Sequence, residues 1–167
     1  SKLLADDRGG VVGAVTSHRD GEVEVRAPWT LIATGGFQSN KVMLGARVHP
    51  NAAQAILRAN PHSVGDGLNL AVSVGGCYGS DTPAFYGHLL ASPFDYVNKP
   101  GKFLELAQLH SEFSVLLNES GDRFTDESLG DHVNAQMTLR QPHRRALLVW
   151  DERIQQTHIM TPYIKGK

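Results

Sequence analysis

The sequence predicts an α/β fold with α+β character, and three features predict it. Two β-patterned runs flank Asp20-Gly21, a short apolar run ends in Thr34-Gly35-Gly36, and Gly65-Asp66-Gly67 opens a helix-patterned segment. The hydrophobic period switches between two and 3.6 along the chain, which is the signature of mixed strand and helix.

The elements follow in order. Val11 to Val15 is apolar and Glu22-Val23-Glu24-Val25-Arg26 alternates with period two, so Asp20-Gly21 predicts a half-exposed β-hairpin. Pro28 breaks that pattern, and Trp29 to Ala33 reads as a buried strand running into a tight turn at Thr34-Gly35-Gly36. Ser39 or Asn40 caps a helix through about Val48, and Pro50 separates it from a second helix at about Ala52 to Ala59. After the loop Asn60-Pro61-His62-Ser63, the next helix carries Leu68, Ala71, Val72 and Gly75 at i, i+3, i+4 and i+7, which predicts one buried face. Gly75-Gly76 ends it. Residues 78–102 read as loop, and a domain boundary is expected near residue 80. Phe113 to Leu117 reads as a strand, Asn118 to Gly121 as a turn, and Asp131 as the cap of a helix with Val133 and Met137 on one face. Ala146 to Trp150 reads as another buried strand, and Asp151 caps a short helix through about His158.

Composition narrows the function classes. The chain has 167 residues, 41% hydrophobic and 20% charged, with a net charge of −1. That balance supports a packed core and disfavours a basic nucleic-acid module. Cys77 is the single cysteine, which excludes an intrachain disulfide and a cysteine-rich zinc site. A reducing, cytoplasmic setting is expected. No apolar run approaches the roughly 18 residues of a membrane span, and no signal peptide opens the chain. Ser1 at the start and Ile164-Lys165-Gly166-Lys167 at the end read as boundaries of a piece of a longer protein.

Three segments carry chemistry. Ala33-Thr34-Gly35-Gly36 leaves backbone bare of side chains, so a flat or phosphate-bearing cofactor can approach closely; the same glycines also suit an ordinary strand-to-turn corner. Gly65-Asp66-Gly67 places an acidic side chain at a helix start, either as a helix cap or as an acceptor for ligand hydroxyls. Asn118 to Ser128 contains Arg123-Phe124 and Glu127, read alone as a turn followed by a charged loop. His18, His49, His62, His110, His143 and His158 show no metal-ligand spacing, and no metal is expected.

Taken in order, these segments resemble the fumarate reductase/succinate dehydrogenase flavoprotein family, which includes 3-ketosteroid dehydrogenases and tricarballylate dehydrogenase-like proteins. Ala33-Thr34-Gly35-Gly36-Phe37 matches the strand before the flavin, Ser63 to Ala71 the G-D-G run, and Leu116 to Glu127 the run containing R-F-x-x-E. The resemblance covers about residues 10–150. It implies that residues 1–80 are the later part of an FAD-binding domain and residues 81–167 the beginning of a substrate-capping domain. In the family the active site lies between the two. It implies that Ala33, Thr34, Gly35 and Gly36 lie against FAD with Gly65, Asp66 and Gly67, and that His88 contacts substrate. Arg123 and Glu127 are candidates for the proton path or for a structural pair. It further implies a small-molecule substrate and an electron donor or acceptor. The family's arginine after R-F-x-x-E is missing, because that stretch reads Ser128-Leu129-Gly130-Asp131-His132. Two readings stay open: flavin-based hydride transfer to or from a carbon–carbon bond beside a carboxylate or carbonyl, and a non-catalytic domain that keeps the scaffold. No G-x-G-x-x-G follows a strand within these residues, so weak FAD binding and no activity are expected of the chain by itself.

Overall fold

Two antiparallel sheets and five short α-helices make up the described part of this mixed α+β chain. The computed structural model describes residues 1–79, 84–92 and 103–159, without the side chains of Leu104 and Glu105. Parts of the predicted 78–102 loop and the segment 164–167 lie outside the described residues. The chain forms two units, Ser1–Leu44 with Ala59–Thr82 and Gly45–Arg58 with Pro83–Lys167.

In the first unit the hairpin forms as its alternation demands. Strands β2 (Val11–His18) and β3 (Gly21–Arg26) pair antiparallel, and the register closes at His18 and Gly21. The two-residue loop is therefore Arg19-Asp20, and Gly21 at φ 125° begins the returning strand. Strand β1 (Lys2–Ala5) pairs with the other edge of β2. Val15 of β2 is buried, whereas β3 is exposed along its whole length.

The expected buried strand at Trp29 to Ala33 is corrected. These residues form no ladder among the described residues, and Trp29 and Leu31 are 89% and 90% exposed. Their side chains still alternate. Thr30 and Ile32 line a cleft of about 330 Å³ with Leu3, Val11, Ala71 and Val74, while Trp29 and Leu31 face away. The apolar run therefore keeps strand periodicity without the hydrogen-bonded neighbour that a strand requires.

Helix α1 (Lys41–Arg47) starts where predicted, with Asn40 Oδ1 accepting from Met43 N at 3.0 Å. Asn40 Nδ2 also donates to Val64 O at 3.0 Å, and Ser39 N donates to Ser63 O at 3.0 Å. These bonds lash the loop before helix α2 (Asp66–Ser73) to the start of α1. Helix α2 ends in a Schellman turn: Gly76 N donates to Ala71 O and Gly75 N to Val72 O, with Gly75 at φ 93°. Its predicted inner face is only partly covered, since Val72 is 40% exposed.

The second unit begins with another correction. The segment predicted as a helix at 52–59 is a single 3₁₀ turn, Pro50–Gln54, which His49 Nδ1 caps and which ends at an extended Ala55. Proline fixes the first turn, but the departure at Ala55 prevents a continuing i→i+4 ladder. Strands β4 (Val115–Leu117) and β5 (Leu147–Val149) pair antiparallel, with the short helix α3 (Phe103–Leu106) preceding them in sequence. The second strand is not buried as expected: Leu147 and Val149 share one face and are 62% and 49% exposed. Helix α4 (Asp131–Leu139) has Gly130 rather than the expected Asp131 at its N-cap, and it buries Asn134, Ala135, Thr138 and Leu139, with Val133 and Met137 half-buried. Asn134 sets that rotation, because its Nδ2 donates to Ser111 Oγ and to Glu127 O. Helix α5 (Glu152–Thr157) is capped by Asp151, as the sequence predicts. Ala52, Leu106, Ala107, Leu116, Ala135, Leu139 and Ile159 form the apolar core of this unit among the described residues.

A methyl group at Gly67 would collide with Thr34 Oγ1 and lie 2.5 Å from Ile32 Cγ2. Gly67→Ala should therefore force α2 away from residues 32–34 and destabilise the first unit by about 1–3 kcal/mol, measurable by urea unfolding.

Candidate functional site

The two glycine stretches singled out from sequence meet in space within the first unit. Gly67 packs against Thr34 and Ile32, and a Cβ at Gly35 would lie 3.4 Å from Ser63 Oγ. The glycines differ in what they do. Gly65 and Gly67 are buried, and a Cβ on Gly65 would meet Met43 Sδ at 2.7 Å and Phe37 Cβ at 3.0 Å. Those two glycines permit close packing. Ala33, Thr34, Gly35 and Gly36 are exposed, with Gly35 in the left-handed region at φ 76°. Asp66 is exposed in the first turn of α2, and the N-cap is Gly65 rather than Asp66. Bare backbone beside a helix start and an outward carboxylate fits a cofactor that carries phosphate and hydroxyl groups.

In the second unit, helix α4 grips the loop that carries His88. Three contacts hold it. His88 Nδ1 donates to the Asp131 carboxylate at 2.6 Å (Oδ2) and 3.1 Å (Oδ1). His132 Nδ1 donates to Gly87 O at 2.8 Å, and Gln136 Nε2 donates to Phe85 O at 3.2 Å. Positions 132 and 136 lie one helical turn apart and position 131 opens the first turn, so one end of α4 aligns all three. Gly130 at φ 97° turns the chain into this helix. Aromatic rings flank the pair: Tyr86 and Phe103 each lie 5.4 Å from the His88 ring, edge to face, and Tyr86, itself exposed, lies over His132 at 3.7 Å. Arg58 stacks on the far partner of this group, 3.5 Å from the Phe103 centroid.

His88, Asp131 and His132 each offer a ligand atom within 4.8 Å of the others, a spacing that is open to a metal ion. Sequence spacing missed this trio because 43 positions separate His88 from Asp131. The sequence marks Asp131 as a helix start, and nothing in the spacing joins it or His132 to His88. Their partner comes from a loop with no periodicity.

Arg123 and Glu127 form a different centre. Glu127 is 1% exposed. Its Oε1 accepts from Leu116 N at 2.7 Å and from Arg123 Nε at 3.2 Å, and its Oε2 accepts from Arg123 Nη2 at 2.5 Å. Burial pushes this carboxyl upward, but the bonds from Arg123 and Leu116 outweigh it and hold the group below the usual carboxylate range. The Arg123 guanidinium is correspondingly pushed up by its bond to Glu127. His110, 4% exposed and edge-on to Trp150 at 4.9 Å, is pushed down by burial.

Comparison with known proteins follows this geometry. The sequence profile of the family described as FAD binding domain matches residues 1–161. The chain is 27% identical over 157 residues to fumarate reductase (cytochrome) of Shewanella frigidimarina, spanning 93% of this chain and 26% of that protein. A probable fumarate reductase of S. frigidimarina strain NCIMB 400 is 27% identical over 154 residues, or 92% of this chain and 25% of its own length. Among solved structures, a 3-ketosteroid-Δ4-(5α)-dehydrogenase of Rhodococcus jostii RHA1, crystallised with 4-androstene-3,17-dione, superposes with a TM-score of 0.64 at 25% identity. That match covers 92% of this chain and 29% of the other. The chain thus spans about a quarter of the length of the curated relatives it matches.

Among the described residues, three acid-sensitive groups set a pH dependence: Glu127, His110 and Asp126, whose carboxyl is held low by its bonds from Ser128. With its folded pKa depressed, Glu127 contributes stability above the unfolded carboxylate value, about 4.3, and loses it as pH falls through the folded value. Neutral His110 contributes stability above about 6.5, the unfolded imidazole value, and loses it on acidification. Unfolding free energy should fall in two stages below about pH 6.5, and His110→Phe should remove the upper stage. Glu127→Ala leaves the Leu116 N–H without its acceptor and should destabilise by about 2–4 kcal/mol in urea unfolding.

Proposed function

The chain belongs to the FAD-binding domain family, and on that premise we propose that it is part of a flavin-dependent dehydrogenase or reductase of the fumarate reductase/3-ketosteroid dehydrogenase type. Its reaction moves a hydride between flavin and a carbon–carbon bond next to a carboxylate or carbonyl. Residues 1–80 belong to the later part of the FAD-binding domain, and residues 81–167 begin the substrate-capping domain. The contact between the Thr34-Gly35-Gly36 corner and the Ser63 to Gly67 turn carries this reading, since it assembles exposed backbone beside a helix start.

Ala33, Thr34, Gly35 and Gly36 would hold FAD by close backbone approach, and Asp66 would accept from a cofactor hydroxyl. Gly65 and Gly67 shape that surface by letting α2 pack close to residues 32–37. FAD, when bound, supplies the two-electron chemistry. The chain's own residues orient substrate and handle charge. His88 contacts a substrate oxygen, and the aromatic rings of Tyr86 and Phe103 limit how the imidazole turns. Arg123 and Glu127 support the β4 strand and the following loop rather than the reacting atoms, because Leu116 N and Arg123 already occupy the buried carboxylate. The substrate is a small molecule, and an electron donor or acceptor completes the cycle.

The full-length protein should purify with flavin absorbance and turn over members of a panel of unsaturated and saturated carboxylates and 3-ketosteroids in a dye-coupled assay. His88→Ala should raise KM by about tenfold or more without lowering flavin content. Asp66→Ala should lower flavin content instead. Purification without flavin, with no turnover, would favour a non-catalytic domain that keeps the scaffold.

A further inference from the structure

We propose that Asp131 is the positioning residue of His88, fixing which ring nitrogen meets the substrate. This deepens the proposed function and rests on its assignment of His88 as a substrate contact. A carboxylate only accepts hydrogen bonds, so the proton on this side of the ring belongs to Nδ1. The imidazole is thereby presented through Nε2. Nε2 donates to a substrate carboxylate or carbonyl oxygen when both ring nitrogens carry a proton, and the Asp131 carboxylate accepts from Nδ1 in that form as well. Both side chains are largely removed from water, at 15% and 12% exposure, which strengthens the pairing relative to a surface ion pair.

The surroundings favour orientation over mere adhesion. Asp131 opens α4, and the same helix binds the backbone on the N-terminal side of His88 at Gly87 O and Phe85 O. Ring and loop are therefore held by one element. Among the described residues, the titratable groups facing His88 are Asp131, His132 and Tyr86. The His132 ring lies 4.9 Å away, with Nδ1 at 3.9 Å from Asp131 Oδ1. His132 spends that nitrogen on Gly87 O, so Asp131 bonds to His88 alone of the two. A metal bridging the trio would have to displace the short His88–Asp131 bond.

The test uses the full-length protein with Asp131→Asn, Asp131→Ala and His88→Ala. Imidazole nitrogen NMR should assign the proton to Nδ1 of His88 in the unaltered protein and show a mixture of tautomers in Asp131→Ala. KM for a carboxylate or ketone substrate should rise about tenfold in Asp131→Asn, with flavin content and melting temperature retained. A His88 ring signature that Asp131→Ala leaves unchanged would overturn the proposal. So would an unchanged KM in both Asp131 variants when His88→Ala raises it. An unchanged KM in His88→Ala would instead remove the substrate contact itself, and the nitrogen spectra separate that failure from the first. Activity lost on chelation and restored by zinc would also overturn the proposal, by giving the trio a metal role.

Discussion

A buried carboxylate, Glu127, is the constraint on which the second unit depends. It accepts from the backbone of β4 at Leu116 and from the Arg123 side chain, and its own carbonyl accepts from Asn134 of α4. One residue thus ties a strand, a turn and a helix. The charge is tolerated at 1% exposure because Arg123, partly in water, neutralises it from one side. Asn134 then sets the rotation of α4, and that rotation aims Asp131, His132 and Gln136 at the loop of residues 85–88.

This chain of dependence separates the two roles that charged residues play in the unit. Arg123 and Glu127 lie in the R-F-x-x-E run, and here they bond to each other, with Glu127 also accepting from Leu116 N. Asp131 and His132, a few positions on, lie where the family's arginine is absent, and they bring ionisable groups to His88. Gly130, whose φ of 97° starts the helix in a new direction, divides the two groups in sequence.

The first unit works through close approach rather than charge. Gly67 admits Thr34 and Ile32, and Gly65 admits Met43 and Phe37. Ser39 and Asn40 hold the loop 60–64 by hydrogen bonds to its carbonyls, from Ser39 Oγ to Asn60 O, from Ser39 N to Ser63 O and from Asn40 Nδ2 to Val64 O. Gly35 and Gly36, beside these contacts in sequence, stay exposed.

Local rules sufficed for the hairpin, though its loop is Arg19-Asp20 and not the expected Asp20-Gly21, and for the Asn40 and Asp151 caps, the Schellman end of α2 and the turn at Asn118, because each depends on residues within a few positions of one another. The ordered glycine and R-F-x-x-E runs also made the flavoprotein family legible. Burial was not legible. Apolar runs at 29–33 and 147–149 looked like core strands, but burial depends on what covers a face, and the sequence of a strand does not name its cover. Tertiary structure alone decided that α4 turns its Asn134 inward and that His88 meets Asp131 across 43 positions. Those contacts join elements whose separation carries no periodic signal, so only the folded chain brings them within hydrogen-bonding distance.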